Sequence, residues 1–294
     1  MNNTLSLTEF RIRLAWRNRL FIFFSLVVPL AYMFFYVGVF GRGSPLAVSF
    51  MLAPVLALTV MGSFWGLSMQ LVMFREQGIL RRFRLAPIGA APLLASSLLS
   101  NYILLMPTIL IQLALARWFF RMQEFGNLPA ALLLISAGSV TFAAFGLMIA
   151  SITGSMQETA VINNAIWFIF LFLSGATIPL PMLPGWVQGV AAFLPPTYLI
   201  TGLQQAMLGN APVLQIGPEL LVLAGSAAAA FYFSVQVFRW EPEAPIRPRA
   251  RLLACAALIP FLLLGLYENI TGHRREGAAV MYRQIQRPPE PQSR

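Results

Sequence analysis

The sequence predicts an all-α polytopic membrane protein, and three observations carry that prediction. Hydrophobic residues make up 58% of the chain and charged residues only 10%, against about 25% charged in soluble domains. Uncharged runs of 32 residues separate Arg42 from Arg75 and Arg84 from Arg117. Each exceeds the ~20 residues that cross ~30 Å of hydrocarbon as a helix. The apolar runs are unbroken rather than alternating, which selects helices over a closed barrel.

Between those two runs lies the stretch at 75–92, REQGILRRFRLAPIGAAP, with Arg75, Glu76, Arg81, Arg82 and Arg84 close together. A short basic loop stays on the cytoplasmic side, so this one orients the rest. Ahead of it, Ser6-Leu-Thr-Glu9 is a capping-box pattern that starts a helix. Leu7, Phe10 and Leu14 then recur at helical spacing, with Arg11, Arg13, Arg17 and Arg19 on the polar side. Residues 1–19 are expected as an amphipathic helix lying in the interface, N-terminus cytoplasmic. The run that follows is too long for a secretory signal peptide, and no small-residue cleavage site follows it.

Spans are expected at 20–40, with Pro29 as a kink, and at 46–73, 93–116, 128–152, 160–173 and 220–238. The turn at 41–45 and the loop holding Arg117, Arg121 and Glu124 fall outside; the loop ending at Glu158 falls inside. Between the fifth and sixth spans, Pro179, Pro181, Pro184, Pro195 and Pro196 break an uncharged segment at 174–209. It reads as a re-entrant helical hairpin in the outer leaflet, tolerated there only when packed in protein or lining a cavity. Its Trp186 and Tyr198 suit the interface.

The end of the chain pulls two ways. A Pro-rich linker with Arg247, Arg249 and Arg251 leads to 252–267, which is uncharged and carries nine Leu, Ile or Phe. These contribute roughly −3 to −5 kcal/mol towards insertion. The other loops place 12 Arg inside and 3 outside. A spanning segment would add Arg274, Arg275, Arg283, Arg287 and Arg294 to the outside, making 12 to 8. Insertion energy argues for a seventh, C-terminal hydrophobic helix, and the charge rule for a re-entrant or surface helix; the seventh span is the expectation taken. The chain thus divides into an interfacial helix at 1–19, a transmembrane domain at 20–240 and an extension at 241–294.

Absences narrow the chemistry. All 20 basic residues are Arg and all 10 acidic ones Glu. Without Lys there is no GxxxxGK[ST] phosphate loop and no Schiff base. Without Asp, and with His273 and Cys255 single, there is no Ser-His-Asp set and no zinc cluster. Cys255 in an apolar run reads as a small hydrophobe. The net charge of +10 sits on residues flanking spans, so it serves topology and lipid headgroups rather than nucleic acid.

Two motifs carry a resemblance. Arg75-Glu76-Gln-Gly78-Ile-Leu-Arg81-Arg82-Phe-Arg84-Leu-Ala-Pro87 is similar to the charged loop E-x-G-x-L-[KR]-x-[LY]-[KR]-x-[ST]-P of ABC-2 type exporter permeases, with Ala86 in place of Ser or Thr. Leu173-Ser-Gly175-Ala-Thr-Ile-Pro179, Leu183-Pro184-Gly-Trp186 and Leu194-Pro195-Pro196-Thr197-Tyr198 resemble that family's fifth span and outer hairpin. The resemblance covers residues 5 to 240 and lies nearest the drug- and polysaccharide-export branch. It implies a six-helix ABC-2 type transmembrane domain in a bacterial inner membrane. The implied partners are a second permease copy or paralogue and two separate ATPase subunits, with ATP and Mg bound there and no cofactor on this chain. It assigns ATPase coupling to Glu76, Gly78, Arg81 and Arg82, with Glu158 as a second contact. The outer hairpin and substrate path fall to Gly175, Pro179, Pro184, Trp186, Pro195 and Tyr198. The exported molecule would be amphipathic or lipid-linked. The rival readings are a secondary transporter, which would want a midplane acid, and a non-transporting anchor for an ATPase.

Overall fold

The computed structural model describes residues 2–40, 45–85, 89–122, 124–241, 259–271, 279 and 282–283. The turn at 41–44, the linker arginines, Cys255, His273 and half of the 252–267 segment lie outside them. Among the described residues all regular structure is helical. The first five helices are α1 (Asn2–Arg17), α2 (Arg19–Phe40), α3 (Pro45–Glu76), α4 (Ile79–Leu85) and α5 (Ala90–Trp118). Then come α6 (Leu128–Ile152), α7 (Met156–Leu173), α8 (Gly185–Ala191), α9 (Pro195–Met207), α10 (Gly217–Val237) and α11 (Ile259–Thr271).

Six of these, α2, α3, α5, α6, α7 and α10, are long and apolar enough to cross a membrane, at the six places the sequence predicts. Several run past their apolar stretch. α3 continues to Glu76 and α7 starts at Met156, because a helix ends where its hydrogen-bond ladder is capped, not where its last apolar residue falls. α11 has 13 described residues, about 20 Å of helix, which alone is short of a span.

The N-terminal helix differs from expectation in two ways. It begins at Asn2, with Thr8 Oγ1 already bonded to the Thr4 carbonyl at 2.8 Å, so Ser6 and Glu9 lie inside it. Glu9 pairs with Arg13 at 2.6 Å instead of capping. Arg11 also leaves the polar side: it is 7% exposed. It donates to Gln70 Oε1 at 3.2 Å and lies 5.6 Å over the Phe74 ring. Burial lowers its guanidinium to a pKa of about 10. The reason is register: Leu7 and Arg11 are one turn apart, and the face that buries Leu7 against Leu71 and Phe74 carries Arg11 with it.

The bundle has its centre at α3 and α6, with α9 wedged beside them; α2, α5, α7 and α10 turn large apolar faces such as Phe35, Leu110, Val161 and Leu221 outward. Lipid makes that exposure costless, so packing here depends on close approach. α6 supplies it with Gly138, Ser139, Ala143, Ala144, Gly146, Ala150 and Ser151, all buried. At Gly146 a side chain would collide with the backbone of Phe64 on α3.

Backbone groups freed by proline find donors on neighbouring helices. Pro29 in α2 cannot bond the Ser25 carbonyl, and Thr108 Oγ1 of α5 reaches that oxygen at 3.4 Å. Gln112, fully buried, joins the Pro29 carbonyl at 3.3 Å to Thr59 of α3 at 3.0 Å. α2 therefore continues through Pro29, its lost bond replaced from α5.

Replacing Gly146 by Leu should force α3 and α6 apart and cost about 1–3 kcal/mol, as overpacking does. The midpoint of thermal unfolding in a mild detergent reads this. A midpoint equal to that of the native chain would show that the two helices are not held by backbone approach.

Candidate functional site

α6 ends and α7 begins within three residues, Thr153, Gly154 and Ser155, which sets a negative helix terminus beside a positive one. Four charged side chains sort themselves onto these two poles by sign. Arg75, only 2% exposed, donates to the carbonyls of Ala150 at 2.9 Å and Thr153 at 2.6 Å. Arg239, just past α10, donates to the same Thr153 carbonyl at 2.5 Å. Carbonyls of a last helical turn have no partner inside their own helix, and charge-assisted bonds suit them.

The acids take the other pole. Glu76 Oε1 accepts from the Met156 N–H at 2.8 Å, and Glu158 Oε2 from the Gly154 N–H at 2.6 Å. Ser155 caps α7 by accepting from the Glu158 N–H at 3.2 Å, while Glu158 reaches back past Ser155 to Gly154, so the pair makes one half of a capping box. Thr153 and Thr159 close the knot through their hydroxyls at 2.8 Å. Burial lowers the Arg239 guanidinium, and Glu158 offsets part of that drop.

The loop after Glu76 is built on one glycine. Gln77 and Gly78 bond back to the carbonyls of Met73 and Arg75, and Gly78 has φ +70, the left-handed conformation that ends a helix. The chain reverses there into α4. Leu80 anchors α4, fully buried among Leu71, Val72, Leu93, Leu94 and Leu147. Arg81 and Arg82 point outward, and Arg81 approaches Glu241 at 3.8 Å, an exposed pair contributing little. Glu76, Gly78, Arg81, Arg82 and Glu158, named from two separate stretches of sequence, therefore share one end of the bundle.

The hairpin forms the opposite end. Gly175, buried with φ +89, turns the chain out of α7. Pro179 precedes a 3-10 turn at Leu180–Met182, and Pro184 stands at the start of α8. Trp186 projects with 71% of its surface exposed, as an interfacial residue should. Tyr198 does not: it is 1% exposed, and its hydroxyl bonds the Ala192 carbonyl. Pro195 opens α9, of whose 13 residues all but one are buried. The second arm of the hairpin is thus core, packed on α3 and α6, because its small and aliphatic face fills the gap beside them. Asn127 N–H bonds the Ala206 carbonyl at 2.8 Å, tying its end to the start of α6.

Sequence reasoning missed Arg239 and the inward turn of Arg75, since nothing local marks an arginine whose partners are distant carbonyls. The S-x-x-E spacing at 155–158 was legible and would have located the start of α7.

Residues 2–208 match the family model of the ABC-2 type transporter. The linearmycin resistance permease protein LnrN of Bacillus subtilis is 26% identical over 62% of this chain and 47% of its own length. The daunorubicin resistance ABC transporter permease protein DrrB1 of Streptomyces coeruleorubidus is 27% identical over 74% of this chain and 78% of its own. The probable doxorubicin resistance permease protein DrrC of Mycobacterium tuberculosis is 29% identical over 55% and 59%. The alignment with LnrN thus spans about half of that relative. The matched residues take in the basic loop, the joint between α6 and α7 and the buried arm of the hairpin but stop short of Arg239, and on this match the chain belongs to the ABC-2 type transporter family.

Proposed function

We propose that the chain is the permease subunit of an ATP-driven exporter, moving an amphipathic or lipid-linked molecule outward. The observation that carries this reading is the charged knot. Four spans meet where α4 presents Arg81 and Arg82, so a force on α4 reaches α3, α6, α7 and α10 together. α4 would dock in a separate ATPase subunit, with Glu76 and Glu158 beside it; ATP and Mg would be held there. Two permease chains and two ATPase subunits would form the working unit, in a bacterial inner membrane with α1 and α4 on the cytoplasmic side. The chain itself would catalyse nothing. Relatives named for resistance to linearmycin, daunorubicin and doxorubicin support a small exported molecule, and the exposed Ile178, Met182 and Trp186 of the hairpin suit an amphipathic one.

Two substitutions of Glu76 test the coupling role. Glu76→Ala should leave insertion intact and lower ATPase stimulation about fivefold or more in the purified complex, the size of a typical coupling between sites. Glu76→Gln keeps an acceptor for Met156 but removes the charge. Full stimulation in both variants would sink the coupling role; full stimulation in Gln alone would assign Glu76 to holding α7 rather than to a partner's arginine.

Topology has its own test. With Cys255 replaced by Ser, a cysteine at Trp186 should react with a membrane-impermeant maleimide added to intact cells. Reaction only after permeabilisation would invert the proposed orientation.

A further inference from the structure

α11 lies beyond the residues matched by the family, and its seat is specific. Phe261, 1% exposed, places its ring 5.6 Å from Tyr198 and 6.1 Å from Phe145, deep in the bundle. One turn on, a Cβ at Gly265 would come within 2.5 Å of the Phe193 ring and 2.8 Å of the Ala192 carbonyl. Only glycine permits that approach. A further turn on, Asn269 Nδ2 donates to the Gly189 carbonyl of α8 at 3.1 Å. Beyond the helix, the Tyr282 hydroxyl meets Met182 Sδ at 3.1 Å, and its ring stands 6.0 Å from Phe50.

Phe261, Gly265 and Asn269 recur every four residues, so one stripe of α11 faces the hairpin. Glu268, 4% exposed, shares the buried side, while Leu262, Leu263, Leu266, Tyr267 and Ile270 are exposed and apolar, as a lipid-facing side is. Two of the stripe's contacts fall on α8 and its end, at Gly189, Ala192 and Phe193, and the third, Phe261, packs on Tyr198 of α9, which the core holds. The direct tie to α8 is thin: one side-chain hydrogen bond and one close van der Waals seam.

We propose that α11 is an intramolecular strap that pins the outer hairpin shut, and that α8 swings outward only when the strap lets go. The role in release rests on the permease reading; the strap itself does not.

The strap is read by hydrogen exchange on the full chain in lipid nanodiscs, without an ATPase. Phe261→Ala and Gly265→Leu should each speed exchange at 185–194 by about tenfold or more, as loss of a local closing contact does. Exchange at the charged end, 71–80 and 150–159, should stay unchanged, which shows that the variants fold. Asn269→Ala, which removes only the hydrogen bond, should speed the same amides to a smaller degree. Native exchange at 185–194 in all three variants overturns the strap. The gating role is read with Gly189→Cys and Asn269→Cys in a Cys255→Ser chain, joined by a short bifunctional methanethiosulfonate. Joining them in the complex with its ATPase should lower ATP turnover about fivefold or more, and reductant should restore it. Failure to cross-link overturns the contact, and unchanged turnover after cross-linking overturns the gating. A native complex that shows no ATP turnover would instead refute the permease reading, with the exchange result standing apart from it.

Discussion

A helix that stops inside a bundle leaves carbonyls that water cannot reach, and the end of α6 is where this molecule meets that constraint. Arg75 and Arg239 supply donors to Ala150 and Thr153. Each charge-assisted bond of this kind contributes about 1.5–3 kcal/mol, and an arginine left without carbonyls would cost more than that. The arrangement is therefore all-or-nothing. Remove one partner and a buried cation or a buried carbonyl is orphaned.

From that joint the rest follows by geometry. Arg75 and Glu76 are adjacent in sequence at the end of α3, yet they read opposite poles: the arginine the carbonyl end of α6, the glutamate the amide end of α7. That pairing fixes the rotation of α3 about its axis, and with it the direction in which Gly78 turns the chain into α4. It also fixes the depth of α6, whose small residues then lie opposite Phe64 and the other large side chains of α3. The wedge beside them is filled by α9, so the hairpin end is positioned by the same two helices that are locked at the charged end.

This shared pair of helices gives the proposed function its physical content. α3 and α6 are close-packed and mostly buried, hence stiff, while α8 is short and partly exposed. Displacement at α4 would be carried along the stiff pair and delivered to the element least held by the core. Between the two ends, polar contacts such as Asn163 to Ser68 at 2.7 Å and Gln112 to Thr59 keep neighbouring helices in register. Hydrophobic contact cannot do this in lipid, where one apolar face slides past another at little cost.

What the sequence by itself determined is what depends on each segment alone. Transfer of ~20 apolar residues into hydrocarbon is a local free energy, so the six spans were readable, and the hairpin was readable from five prolines crowded into 18 residues, where α2, α3 and α5 each carry only one in their interior. The grouping of Glu76 through Arg82 was legible for the same reason, being contiguous. Tertiary structure decided where polar side chains go. Arg11 turned inward because Leu7 did; Tyr198, suited to an interface, was buried because α9 fills the gap beside α3 and α6; Arg239 found a carbonyl 86 residues away in sequence. α11 took a seat that only Gly265 permits. In each case the deciding quantity is which backbone groups and which gaps a distant helix leaves open, and no local pattern of residues encodes that.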